Sequence, residues 1–126
     1  MLLCFFYLFS LSNLPKSLSA FDLHEWLISE RDQPTIIDVR ENSELEIVKF
    51  PFYFLHMPIS KITFDYVHEK LNTIENKRVV VSCHMGVRSL HFSQWLLDNN
   101  FLQEIWNLEE GIDGWSKYID SGMVRY

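Results

Sequence analysis

The sequence predicts an α/β sandwich, with a mostly parallel central sheet and helices on both faces. Three observations lead there. Two β-branched runs, Thr35-Ile36-Ile37-Asp38-Val39 and Val79-Val80-Val81, are apolar without the polar alternation of a half-solvated strand, which marks strands buried on both faces. Between and around them lie segments with apolar residues at helical spacing. Strands and helices alternate at least three times within 126 residues, the size of one domain, and that pattern implies parallel pairing through right-handed crossovers.

The elements follow in order. Ser19 caps a first helix, with Asp22 near the positive end of its dipole and Leu23, Trp26 and Leu27 on one apolar stripe. The helix ends near residues 30–32, before Pro34. The strand at 35–39 runs into the charged Arg40-Glu41, and residues 41–48 suit a short helix. The aromatic, proline-bracketed stretch 50–59 reads as a connector into a short strand around 53–56, its aromatics forming a distinct surface. Phe64, Val67 and Leu71 mark a helix capped by Thr63 or Asp65. Residues 75–78 make a charged turn before the strand at 79–81. From Ser89, Phe92, Trp95 and Leu96 define a helix of about ten residues by pattern length, closed by Asn100 in the left-handed C′ conformation. Residues 104–108 form the last strand, Gly111 to Gly114 a turn, and Trp115 to Asp120 a final short helix.

A net charge of −6 and the absence of a basic run argue against a nucleic-acid surface. The two cysteines, Cys4 and Cys83, lie far apart and belong to no zinc-type cluster, so neither a disulfide framework nor a metal site is expected. That usage suits a reducing compartment, and a cytoplasmic location is the expectation. The first twelve residues are apolar, too short to span a bilayer as a helix, and lack a basic leader, the first charge being Lys16. They leave three readings: a misassigned start or dispensable tail, a signal or membrane anchor, or an element packed into the fold. Membrane contact is expected only under the second. The domain proper is placed at 15–126, with 1–14 as the tail. Cys4 is read as an inert tail residue, with a resolving thiol as the alternative.

The chemistry concentrates in Val79 to Leu90: a buried strand, a tight loop opening on Cys83, then a helix. A cysteine at a helix N-terminus meets backbone N–H groups and the positive end of the dipole, both of which favour thiolate, and Arg88 adds a fixed positive charge. Gly86 permits a turn closed to other residues, and successive N–H groups around it form an anion nest for the thiolate or the outer sulfur of a persulfide. Arg88 suits an oxyanion through paired hydrogen bonds, and Ser89 caps the helix or donates to the loop. A cysteine phosphatase uses Cys-x5-Arg; here the spacing is Cys83-x4-Arg88, one residue shorter. The tighter cradle fits one sulfur atom better than a tetrahedral phosphate, which favours sulfur transfer over a phosphatase or arsenate reductase. His84 tunes the thiolate or is an ordinary loop residue. Asp38 and Arg40 are read as structural, holding the strand end with Glu41 or Glu44; His56 and His91 are structural, and the Trp and Phe positions core.

Four ordered stretches resemble the single-domain rhodanese family of sulfurtransferases: Ile36 to Arg40 with Glu44 downstream; His56-Met57-Pro58; Val80 to Ser89; and Trp106 to Trp115. The resemblance implies a rhodanese-like three-layer sandwich over about residues 15–126. It makes Cys83 the persulfide carrier, with the amides from His84 through Met85, Gly86 and Val87 to Ser89 around the sulfur and Arg88 on the substrate. The implied cycle begins with Cys83 thiolate attacking the outer sulfur of thiosulfate, a persulfide or a polysulfide; with thiosulfate, sulfite is released. A thiol, including a protein thiol, or cyanide in assays, then takes the sulfur. No metal or organic cofactor is implied. A partner-dependent persulfide carrier is the alternative to a free-standing enzyme. The sequence departs from the family at Leu55, Ile59 and Ser60, where glycine or Gly-Ala is usual around His-x-Pro, and at Glu110, in place of the first glycine of a pair.

Overall fold

The computed structural model describes residues 13–126. The apolar residues 1–12, with Cys4 and the three readings of that segment, lie outside the described residues. In order the elements are β1 (Lys16–Leu18), α1 (Ala20–Ile28), β2 (Thr35–Asp38), α2 (Asn42–Ile47), β3 (Leu55–His56), a 3₁₀ turn (Ile59–Lys61), α3 (Phe64–Leu71), β4 (Val79–Ser82), α4 (Val87–Asp98), β5 (Ile105–Leu108) and α5 (Gly111–Tyr118). The five strands form one parallel sheet in the order β1-β5-β4-β2-β3.

Alternation along the central strands divides the core in two. Ile37, Val79 and Val81 face α3 and α4, packing with Val67, Leu71, Phe92 and Leu96. Ile36, Val80 and Leu108 face the other way, onto Leu23 of α1 and Ile112 and Trp115 of α5. All four residues of β4 are buried, as expected of a strand covered on both faces. The result is the three-layer sandwich, and the register Ile37↔Val81 and Asp38↔Ser82 brings the carboxyl ends of β2 and β4 side by side.

Local signals explain most boundaries. Ser19 Oγ accepts from the Asp22 amide at 3.0 Å, and Thr63 Oγ1 accepts from the Tyr66 amide at 3.1 Å. Thr63→Ala is therefore expected to cost about 1 kcal/mol, read as a lower urea midpoint at unchanged slope. Asn100 takes φ +57°, and the bonds from Asn100 N to Leu97 O (3.1 Å) and Phe101 N to Leu96 O (3.0 Å) close α4 as a Schellman motif.

Three expectations need correction, and one element had no expectation: Lys16–Leu18 is a strand, placed by parallel pairing with β5. Helix α4 begins at Val87 and runs twelve residues, two earlier than Ser89 suggested. The segment from Gly111 to Gly114 is the start of α5 and not a turn. The aromatic stretch is mostly core: Phe50 is buried, and Phe50 and Phe52 stack at 5.0 Å and meet Trp115 edge-on at 6.1 and 5.3 Å. Only Tyr53 of that group is widely exposed, at 79%.

Candidate active site

Cys83 directly follows β4, at the carboxyl edge of the parallel sheet, where α/β folds bind ligands. Its side chain is buried, and three groups converge on Sγ: the Gly86 and Ser89 amides donate at 3.1 and 3.4 Å, and the Ser89 hydroxyl, which donates to a thiolate, lies at 3.2 Å. Gly86 is the N-cap of α4 and Ser89 its third residue, so the sulfur takes the acceptor place that a Ser or Asp side chain fills at other helix starts. This explains why the helix starts before Ser89: the capping acceptor comes from Cys83, three residues ahead of Gly86. A negative sulfur there lies against the positive end of a twelve-residue helix.

Two glycines let the loop close. Gly86 has φ +95°, and a Cβ on it would fall 2.0 Å from the carbonyl oxygen of Glu109. Its own carbonyl accepts from Asn107 Nδ2 at 3.1 Å. Gly111, at φ +58°, would place a Cβ 2.4 Å from the carbonyl of Cys83 and 2.5 Å from that of His84. This close approach lets the first amides of α5 hold the loop: Ile112 N donates to Cys83 O at 2.9 Å and Asp113 N to His84 O at 3.0 Å. Glu110, at φ −114° and ψ 9°, has backbone angles that suit a side chain, so the missing first glycine leaves the turn intact. Leu55, Ile59 and Ser60 likewise avoid positive φ.

Asp38, at the carboxyl end of β2 beside Ser82 of β4, and Arg40, two residues on, are both fully buried. Arg40 Nε and Nη2 grip the Asp38 carboxylate, at 2.8 Å for Nη2, and the Arg40 amide adds a bond to Oδ1 at 3.0 Å. The expected pairing of Arg40 with Glu41 or Glu44 is replaced by this one; Arg40 reaches only the Glu44 carbonyl, at 3.3 Å. The carboxylates of Glu41 and Glu44 are taken up elsewhere, Glu41 in the capping box of α2 and Glu44 on Arg88. His56 Nε2 donates to the Arg40 carbonyl at 2.6 Å, which ties β3 to the same corner.

Arg88 is half-buried in the first turn of α4, and its guanidinium meets Glu44 in a bidentate pair, both distances 2.8 Å. Those bonds from Arg88 bring the Glu44 carboxyl down from the ordinary 4.5 to about 2, with burial opposing and the Glu41 amide assisting. A depressed carboxylate contributes stability that is complete above its unfolded value and is lost as pH falls through the folded one. The stability gap between wild type and Glu44→Gln is therefore expected to shrink between pH 4.5 and about 2, measured by urea unfolding at stepped pH.

His84, half-buried, stacks flat on Tyr126 with centroids 3.9 Å apart at 5°. The Tyr126 hydroxyl accepts from Arg40 Nη1 and donates to Glu44 Oε1, each at 3.2 Å. Met85 and Val87 are 61% and 62% exposed, apolar shoulders on either side of Gly86. Beyond Arg88, a groove of about 270 Å³ is lined by Ile59, Ile62, Arg88, His91, Phe92 and Trp95. The residues expected at the site thus lie along one stretch, the loop after β4 and the first turn of α4, with Asp38 and Arg40 at and just past the neighbouring end of β2. Tyr126 and Gly111 were not anticipated: Tyr126 arrives from a distant segment without a local signal, and Gly111 was read as a turn residue. The described residues contain no His/Cys/Asp/Glu cluster suited to a metal and no helix long and apolar enough to cross a membrane.

Comparison with known proteins extends the geometry. The rhodanese-like domain profile matches residues 22–118. A rhodanese-like/PpiC domain-containing chloroplast protein of Arabidopsis thaliana is 30% identical over 97 residues, covering 75% of this chain and 31% of its own length. An adenylyltransferase and sulfurtransferase of Debaryomyces hansenii is 29% identical over 113 residues, 86% of this chain and 25% of its own. The chain thus spans a third or less of these curated relatives. The crystal structure of a Staphylococcus aureus rhodanese-like domain protein superposes with a TM-score of 0.65 at 26% identity, covering 88% of this chain and 98% of that one. A Pseudomonas aeruginosa thiosulfate sulfurtransferase shares the fold, with a TM-score of 0.68 at 22% identity over 87% of this chain and 20% of that one. With the profile running from α1 to α5 and enclosing the Cys83 loop, this chain belongs to the rhodanese-like domain family.

Proposed function

We propose that the chain is a sulfurtransferase that carries a sulfane sulfur on Cys83 from a small donor to a thiol, including a protein thiol. The observation that carries this reading is the convergence of two backbone amides and one hydroxyl on the buried Cys83 Sγ at 3.1–3.4 Å. Such donors are already in place where negative sulfur sits, and they hold a thiolate or its persulfide without reorganisation. In the first step Cys83 thiolate attacks the donor's outer sulfur, the donor's S–S bond breaks, and the leaving group departs with the electron pair. In the second, an acceptor thiolate attacks the outer sulfur and Cys83 leaves as thiolate, closing the cycle without net oxidation. The family assignment supports this reading, as does a loop sized for one sulfur rather than a phosphate.

The test is turnover of sulfur from a persulfide or thiosulfate to a small thiol. Wild type is expected to turn over, and Cys83→Ser to fall to the uncatalysed background because the nucleophile is gone. Equal turnover by Cys83→Ser would remove Cys83 from the reaction.

A further inference from the structure

We infer that Glu44, braced by Tyr126, is a specificity-determining residue that occupies the guanidinium of the active-site loop and turns the site away from dianionic sulfur donors toward organic persulfides. The inference rests on the sulfur-transfer reading above and adds the donor class.

Every guanidinium around the loop has a carboxylate partner. Arg40 is spent on Asp38. Arg125 binds Asp113, whose amide holds the His84 carbonyl. Arg88, the residue otherwise suited to an oxyanion, gives both terminal nitrogens to Glu44 at 2.8 Å. Glu44 is itself fixed from two further sides, by the Glu41 amide on Oε2 at 2.9 Å and the Tyr126 hydroxyl on Oε1 at 3.2 Å. Tyr126 in turn is set by its stack on His84 and its bond from Arg40. Thiosulfate, a dianion, would have to displace a carboxylate held by four hydrogen bonds or approach it without a free cation, and like-charge juxtaposition costs binding. An alkyl persulfide carries at most one negative charge and needs no oxyanion clamp. Its organic group meets the exposed faces of Met85 and Val87, or the groove between the 3₁₀ turn and α4.

The step balances without an oxidant. Cys83 thiolate attacks the terminal sulfur of R–S–S–H; the Cys83 S–S bond forms and the donor S–S bond breaks. The thiolate RS⁻ leaves with that bond's electron pair, and the proton stays on the transferred sulfur.

The test compares single-turnover loading of Cys83 from thiosulfate and from 2-hydroxyethyl persulfide, followed by intact mass, in wild type and Glu44→Gln. Wild type is expected to load faster from the persulfide. The isosteric amide removes the charge opposing a dianion, so the thiosulfate-to-persulfide rate ratio is expected to rise about tenfold, the equivalent of about 1.4 kcal/mol. An unchanged ratio overturns the inference. Loading from neither donor overturns the sulfur-transfer reading on which it stands. Tyr126→Phe provides the same readout without touching the ion pair: a rise of about threefold, roughly half that energy, supports the brace, and no rise overturns its part.

Discussion

An Asp38→Ala variant is expected to lose about 3–5 kcal/mol of folding stability, because it leaves Arg40 charged, buried and unpaired. Both side chains have zero exposure, and Asp38 accepts from the Arg40 amide as well as from its guanidinium. A loss of that size is a large share of the 5–15 kcal/mol that holds a domain together. The cost belongs to the stranded charge and not to the net value of the pair, so a combined Asp38→Leu, Arg40→Met variant is expected to recover much of it. Urea unfolding of the single and double variants checks this. A single variant within 1 kcal/mol of wild type, roughly the level of a surface change, would mean that Arg40 finds another partner or reaches water. The pair also sits at the strand end beside Ser82, and Arg40 bonds Tyr126, so its loss should loosen the site before the sheet melts.

The second large effect is on chemistry. Gly86→Ala is expected to lower sulfur-transfer turnover by about 10²-fold or more, the scale seen when one preorganised donor is removed from an anionic centre. An alanine there must hold φ +95° with its Cβ 2.0 Å from the Glu109 carbonyl, and backbone cannot yield as a flexible side chain does. The peptide has to move, and with it goes the Gly86 amide that lies 3.1 Å from Cys83 Sγ. The fold should survive, since the collision is confined to the junction of the loop with the end of β5. Near-wild-type turnover would show that the Gly86 amide is dispensable.

Sequence and structure agree where the determinants are local. The strands β2, β4 and β5 follow from apolar runs, and the caps at Ser19, Thr63 and Asn100 from residue types that compete for free backbone groups. The cysteine loop was legible because Cys83, Gly86, Arg88 and Ser89 lie within seven consecutive residues and shape one another. What escaped was tertiary. Lys-Ser-Leu carries no strand pattern, and β1 exists because β5 offers it an edge. Gly111 and Gly114 have poor helix propensity, yet the helix starts there because only glycine at position 111 lets α5 approach the loop carbonyls. The Phe positions are read as core and Phe50 is buried, but the expected aromatic surface at 50–54 fails because Phe50 and Phe52 pack on Trp115. Arg88 looked like a free anion contact, since its partner Glu44 is 44 positions away; Tyr126, 82 positions from Glu44, had no sequence signal at all.

The central claim is that the buried Cys83 thiolate accepts one sulfur and gives it back. Intact mass spectrometry after exposure to a persulfide donor tests it most directly, followed by peptide mapping and treatment with a thiol reductant. The expected result is a gain of one sulfur atom, located on the peptide containing Cys83, reversed by the reductant and absent from Cys83→Ser. A sulfur adduct that persists in Cys83→Ser, or a wild-type protein that takes up no sulfur from any donor, would contradict it.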